Sequence, residues 1–282
     1  MISIIVPVYN EQGSVVRTLI ELNTALKNFT EYEIIVVDDG STDSTAAIVK
    51  GFKSIRLIKG KHKGSGEARN LGAEHAQGSI LVFVDSDMTF NKDYIKNLVR
   101  PLEKDTSLIG STHNYEPATN LQSTWSKLWG AVRVDKWNDG AKIVFRAMRK
   151  NAFLKYGGFD PRYGYADDQT FWIKYRLKPF VAKGTICYHR NPETLTETFK
   201  QARWIGKSWK YRYKILQIPV INLITFAFFF LLFPFVVIAQ ASRKKMHAKS
   251  ISFPEILIFY IYKTSGYIAG FWRAILLDET KR

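Results

Sequence analysis

The run Ile80-Leu81-Val82-Phe83-Val84, followed at once by Asp85-Ser86-Asp87, sets an apolar, β-branched segment directly against two carboxylates. A short run of this composition is the pattern of a strand buried on both faces, as in a parallel sheet. The carboxylates then lie beyond the strand's carboxyl end, where open α/β sheets bind their ligands. In an extended chain, side chains two apart point the same way, so Asp85 and Asp87 are expected to face one cation. Hard oxygen ligands of this kind suit Mg2+ or Mn2+.

The same alternation extends on both sides of this segment. Upstream, the pattern predicts strands over 3–8, 33–37 and 55–58 and helices over 14–27, 42–50 and 66–76. Strands alternating with helices imply parallel pairing through crossovers and a ligand crevice at one edge. Downstream, helices are expected over 94–102, 121–137, 168–177 and 193–214, and strands over 108–112, 142–145 and 185–189. Gly157-Gly158 marks a loop. There is no internal repeat or low-complexity tract.

Charge divides the 282-residue chain. The net charge is +16, but residues 1–199 carry 27 Lys+Arg against 22 Asp+Glu, while residues 200–282 carry 14 against 3. No charged residue occurs from Ile215 to Ser242, and about 20 apolar residues suffice to cross a bilayer. Lys207, Lys210, Arg212 and Lys214 precede this stretch; Arg243, Lys244, Lys245 and Lys249 follow it. A basic tail wrapped around an apolar run points to phospholipid rather than nucleic acid. The expected organisation is an α/β domain over 1–210 and a membrane-associated helical region over 211–282, with a hydrophobic span at about 215–240 and a second apolar helix at about 254–277. One cysteine, Cys187, excludes an internal disulfide and fits a reducing compartment. Met1-Ile2-Ser3-Ile4-Ile5-Val6 has no basic n-region of a secretory signal. The α/β domain is therefore expected on the cytoplasmic side of the membrane.

Four clusters fall at predicted strand ends. They are Val6-Pro7-Val8-Tyr9-Asn10-Glu11; Val37-Asp38-Asp39-Gly40-Ser41-Thr42-Asp43; Asp85-Ser86-Asp87, preceded by Gly64-Ser65-Gly66-Glu67-Ala68-Arg69-Asn70; and Gly157-Gly158-Phe159-Asp160 with Tyr165-Ala166-Asp167-Asp168. In this order, across roughly residues 1–210, they resemble the family 2 inverting glycosyltransferases of the GT-A type, whose fold is a Rossmann-like, mostly parallel α/β sheet that binds nucleotide sugars. The resemblance implies Pro7, Tyr9, Glu11 and Asp39 around the nucleoside, and Arg69 near it or the diphosphate. It implies Asp87 as the direct metal ligand, with Asp85 beside the ribose or sugar and as a second metal carboxylate. Chemically, Asp39 suits a base N–H and Tyr9 a ring contact. Asp43 suits a turn or a helix cap.

The family's catalytic base belongs to an acidic pair opening a helix, usually Glu-Asp. Here the pair is Asp167-Asp168, with Asp168 as base and Asp167 as its partner or alternate; an N-terminal helix cap is a second role open to Asp. Gln201-Ala202-Arg203-Trp204 resembles the Gln-x-x-Arg-Trp element of processive members but is one residue short, which leaves Arg203 between a diphosphate contact and an interfacial anchor. His189 and the tryptophans of 121–137 are secondary candidates for phosphate and acceptor contact. The implied activity is transfer of a sugar from a UDP- or GDP-sugar, with Mn2+ or Mg2+, to a hydroxyl on a lipid-linked or glycan acceptor at the membrane. Alternatives are a polyprenyl-phosphate sugar synthase, whose anionic acceptor needs no base, and nucleotidyl transfer, for which no basic Gly-rich triphosphate loop is visible near Val8.

Overall fold

The computed structural model describes residues 1–27, 29–134, 143–213, 216 and 218–278. In chain order its elements are β1 (Ile2–Val8), α1 (Val15–Ala25), β2 (Tyr32–Asp38), α2 (Thr45–Lys50), β3 (Ile55–Lys59), α3 (Ser65–His75), β4 (Ile80–Phe83), β5 (Thr89–Phe90), α4 (Tyr94–Lys104) and β6 (Gly110–Pro117). There follow α5 (Thr124–Trp129), β7 (Val132–Val134), β8 (Ala147–Arg149), α6 (Lys150–Lys155), a 3-10 segment (Pro161–Gln169), α7 (Thr170–Tyr175) and β9 (Phe180–Tyr188). The chain ends in α8 (Leu195–Lys207), α9 (Trp209–Arg212), α10 (Pro219–His247) and α11 (Phe253–Leu277). Two compact units result: Met1–Pro117, Val132–Pro161 and Asp167–His189 form the first, and Ala118–Ala131, Arg162–Ala166 and Arg190–Arg282 the second.

The first unit is a mixed sheet of order β3-β2-β1-β4-β8-β6-β9-β5, with β7 on β6. Strands β1 to β4 are parallel, as the alternating pattern predicts. Beyond β4 the sheet turns mixed, because β8 runs antiparallel to both β4 and β6. Both faces are buried, which explains the near-continuous apolar runs. Ile4, Val6 and Val8 point into the core shared with α1 and α4. Ile5, Ile35 and Val37 point the other way, toward Ala68, Phe153, Phe159 and Phe171. Helix α3 lies so close to the sheet that a β-carbon at Gly72 would come within 2.5 Å of Ile5 Cγ2; only glycine permits that approach.

Several sequence expectations change here. The helix expected over 121–137 is only Thr124–Trp129, since Gly130 takes φ 138° and the chain re-enters as β7; residues 135–137 lie outside the described residues. The strand expected at 142–145 forms later, at Ala147–Arg149, and Lys142 is outside the described residues. Asp85-Ser86-Asp87 does not continue the strand. Met88 N–H donates to Asp85 O at 3.1 Å, closing a β-turn, so the extended geometry that gave the two carboxylates a common direction is absent.

In the second unit, α8 packs on α11 backbone to backbone. β-Carbons at Gly206 and Gly270 would strike Tyr267 O and Arg203 O, and one at Gly266 would lie 2.6 Å from Phe199 O. Lys263 sits over the Trp129 ring at 4.4 Å, and Asn120 and Asn191 exchange hydrogen bonds of 2.8 and 2.9 Å. The second apolar helix is thus half interior: Ile256, Phe259, Phe271 and Ala274 are buried. The expected span falls on α10, which contains Pro234 and buries Val237 and Ala241. Among the described residues no helix is long and apolar enough to cross a membrane, so the expected crossing has no support there.

Candidate functional site

The carboxyl ends of β1, β2, β3 and β4 meet at one edge of the first unit, and the polar loops after them are cross-linked. Asn10, in the left-handed region at φ 54°, accepts at Oδ1 from Thr42 N–H (2.8 Å). Glu11 N–H donates to Thr45 Oγ1 at 2.8 Å, and Ser14 Oγ to Glu11 Oε2 at 2.5 Å. Asp43 accepts from Thr45 N–H (2.9 Å) and Gln12 N–H (3.2 Å). That pulls 42–44 into a turn and shortens the helix expected from residue 42. Pro7 is buried in β1 opposite Val37.

Asp39, 4% exposed, receives Lys63 N–H on Oδ1 at 2.8 Å and Gly64 N–H on Oδ2 at 2.7 Å. It therefore fastens the loop after β3 to the end of β2, each oxygen keeping a second lone pair for a ligand. That loop brings His62 against Tyr9, with ring centroids 4.3 Å apart. The two rings lie face over face with a 31° tilt near Asp39, a compact aromatic pair. Sequence reasoning named Tyr9 but missed His62; the signal was its place in the Gly60–Gly64 loop at a strand end.

The same unit carries a chain of alternating charges. Arg69, 6% exposed, donates from Nη1 to Asp167 Oδ1 at 2.8 Å and from Nη2 to Asp85 Oδ1 at 2.6 Å. Arg146 donates to Asp85 Oδ2 at 2.9 Å. Burial alone would raise the Asp85 pKa, but the Arg146 and Arg69 guanidiniums outweigh it and hold the carboxyl well below the usual range. Arg146 was missed in the sequence. A lone arginine inside Ile143-Val144-Phe145-Arg146-Ala147-Met148 signals a buried ion pair, without saying with what.

The acidic pair divides its duties. Asp167, 3% exposed, is held by Arg69 and by Ser65 Oγ at 2.7 Å. A β-carbon at Gly66 would sit 2.9 Å from its Oδ2, so that glycine makes room for the carboxylate. Asp168 differs: its Oδ1 is buried and has no hydrogen-bond partner. Burial, and then the adjacent Asp167, push the Asp168 carboxyl up to about 7. Neither aspartate caps α7. The cap position belongs to Gln169, with no side-chain capping bond, while Thr170 Oγ1 donates to Asp167 O at 2.6 Å and accepts from Asp160 N–H at 2.9 Å. The structure thus brings Asp167, Asp168, Arg69 and Asp85 together.

Asp87 is exposed on the turn after β4. As a hard oxygen donor it fits Mg2+ or Mn2+, and each Asp85 oxygen, though bonded to one guanidinium, keeps a second lone pair for the same cation. A second potential ligand group, His113, Glu116 and Cys187, is wholly buried. It serves itself instead: His113 Nε2 meets Glu116 Oε2 at 3.0 Å, and His113 Nδ1 faces Cys187 Sγ at 3.5 Å. Burial lowers His113; burial alone would raise Glu116, but the His113 bond together with the His113, Arg146 and Arg133 charges pushes it down to about 2. His189 Nδ1 lies 3.5 Å from Glu116 Oε1. Arg203 belongs to α8 of the second unit, where its backbone meets α11.

Known proteins are similar to this chain in sequence and in fold. The chain is 34% identical over 191 residues to glycosyltransferase AglE of Haloferax volcanii, covering 61% of this chain and 60% of that one. It is 28% identical over 134 residues to an undecaprenyl-phosphate 4-deoxy-4-formamido-L-arabinose transferase of Shewanella sediminis, covering 45% and 40%. A 36% match to the poly(ribitol-phosphate) β-N-acetylglucosaminyltransferase TarS of Staphylococcus aureus covers 34% of this chain and 18% of TarS. The chain therefore spans less than two thirds of the length of these curated relatives. Among solved structures, the mannosyltransferase PcManGT of Pyrobaculum calidifontis, in complex with GDP-Man and Mn2+, aligns with TM-score 0.62 at 19% identity over 99% of this chain and 88% of that one. TarS residues 1–349 in complex with UDP align with TM-score 0.53 at 18% identity, over 97% and 91%. The fold is thus an α/β, GT-A-like glycosyltransferase fold with a mixed sheet. The glycosyl transferase family 2 model matches residues 3–157, more than half of the chain, and the chain belongs to that family.

Proposed function

We propose that this chain transfers a sugar, with inversion, from a UDP- or GDP-sugar to a hydroxyl on a lipid-linked or glycan acceptor at the cytoplasmic face of a membrane. The observation that carries the reading is the contrast within the acidic pair: Asp167 is bound by Arg69 and Ser65, while the neighbouring Asp168 has a buried oxygen without a partner and a carboxyl pushed up to about 7. A carboxylate made more basic by burial and by its acidic neighbour takes a proton from an alcohol as the alcohol oxygen attacks the anomeric carbon. An acceptor phosphate would need no such group. Relatives named as undecaprenyl-phosphate transferases and a structural neighbour with bound GDP-Man support an activated-sugar donor and a lipid-linked acceptor.

In this reading Tyr9 and His62 hold the base, with Pro7 and Glu11 shaping that end and Asp39 accepting from the base edge. Arg69, fixed between Asp85 and Asp167, keeps a positive charge beside the sugar-nucleotide. Asp85, oriented by Arg69 and Arg146, stands beside the ribose or sugar and is a second carboxylate for the cation. Asp87 is the direct protein ligand for a divalent cation, which when bound stabilises the charge growing on the departing diphosphate.

The test is a binding screen of nucleotide sugars against the purified chain with Mn2+ or Mg2+, repeated with EDTA and with Asp87→Ala. The reading expects one nucleoside diphosphate sugar to bind, and binding to disappear with chelation or in the variant. Binding of nucleoside triphosphates or nucleic acid, with no sugar nucleotide bound, would overturn it.

A further inference from the structure

We infer that helix α10 seats on an anionic lipid bilayer, laying one apolar stripe into the acyl layer with a basic cluster at the stripe's end among the headgroups. At 100° per residue, Ile224, Leu231, Phe235, Ile238 and Met246 fall on one face of α10. Each is at least half exposed, from 50% at Ile238 to 70% at Phe235. Val237 and Ala241, on another face, are 2% and 0% exposed. The helix therefore has a packed side and an outward side, and the outward side is the apolar one. That inverts the pattern of a helix facing water. Ile224 and Met246 lie about 33 Å apart along α10 at 1.5 Å per residue; Ser242 is the polar residue on this face between Leu231 and Met246, and the four exposed apolar side chains of that stretch are more than a surface that meets only solvent carries.

Charge selects the occupant. Arg243, Lys244 and Lys245 lie at the C-terminal end of α10 and Lys249 just beyond it, and the chain has no Asp or Glu from 198 to 254. An apolar face ending in clustered bases is the arrangement that combines acyl burial with attraction to anionic headgroups. A second copy of the chain would bring the same basic excess and be repelled. On α11, Ile258, Ile261 and Leu276 are also outward, at 41%, 38% and 75% exposure, so the apolar exposure is not confined to one helix. The inference rests on the membrane location proposed above and specifies the surface that provides it.

The test is vesicle flotation of the full chain with phosphatidylcholine alone and with added phosphatidylglycerol, alongside nucleotide-sugar binding on the same samples. Wild type should float with the anionic vesicles and less with the neutral ones. Leu231→Ser/Phe235→Ser/Ile238→Ser should lose roughly tenfold or more in partition, with donor binding unchanged. Arg243→Glu/Lys249→Glu should lose the preference for anionic vesicles. Flotation of the triple variant equal to wild type, absence of wild type from both vesicle types, or a triple variant that only changes oligomeric state would overturn the inference. Because donor binding is read separately, failure here is distinguishable from failure of the transferase reading.

Discussion

The edge of the sheet in the first unit and the helix pair in the second both bury polar groups, by opposite means. At the sheet edge the buried groups are charges, and each is held by another side chain: Arg69 by Asp85 and Asp167, Asp85 by Arg146. Between α8 and α11 side chains give way to glycines, so backbone meets backbone at Gly206, Gly266 and Gly270. The first arrangement fixes charge in space and leaves one carboxylate unsatisfied; the second fixes helices and leaves nothing to react. Chemistry is therefore expected to be sensitive to charge changes in the first unit and stability to volume changes in the second.

The largest expected effect is at the unsatisfied group. Asp168→Asn should lower transfer by about 10²- to 10⁴-fold while leaving donor affinity near wild type, measured by turnover and titration on one preparation. The same variant should be more stable than wild type at pH 8. Burial and the adjacent Asp167 raise the Asp168 carboxyl from its ordinary 3.8 to about 7 in the folded state, so ionisation destabilises the fold increasingly as pH rises between those values, and the asparagine advantage should vanish below about pH 4. Thermal melting at the two pH values checks this.

Arg146→Met should come next, costing about 3 kcal/mol by leaving Asp85 with a single guanidinium, and shifting the urea midpoint downward. Spared stability would show that Arg146 is not integral to the charge chain. Gly270→Leu should cost about 2 kcal/mol through overpacking against α8, while Gly13→Ala, with nothing within 4 Å of its built β-carbon, should be near neutral. If both glycines tolerate substitution equally, the close-approach account of the helix pair fails. The smallest effect is expected at the aromatic pair: His62→Ala should weaken donor binding about tenfold or less, without changing the pH dependence of turnover.

The parallel half of the sheet was legible because its code is local. Ile80–Val84, Ile2–Val8 and their neighbours are apolar runs punctuated by polar strand ends, and no distant contact alters that reading. The failures share a cause. Gly130 at φ 138° ended a helix that periodicity continued to Trp137. The Asp85 turn broke the extended geometry assumed for the acidic pair. In the candidate site, Tyr9, Asp39, Arg69 and Asp167-Asp168 stand at strand ends or helix starts where sequence places them. Arg146 and His62 owe their positions to partners 61 and 53 residues away, which no local pattern reports. The apolar run after Ile215 pointed to lipid by composition alone; its tertiary packing at Val237 and Ala241 was not written there.

The most direct test of the central claim is the pH dependence of sugar transfer by the wild-type chain, using the donor identified by the binding screen and a saturating alcohol acceptor. A base whose carboxyl sits near 7 predicts a rate that rises through an apparent pKa near that value, falls about tenfold per pH unit below it, and loses this acid limb in Asp168→Asn. A rate that stays flat from pH 5 to 8, or an acid limb that survives in Asp168→Asn, would contradict the assignment of Asp168 as the base and with it transfer to a hydroxyl.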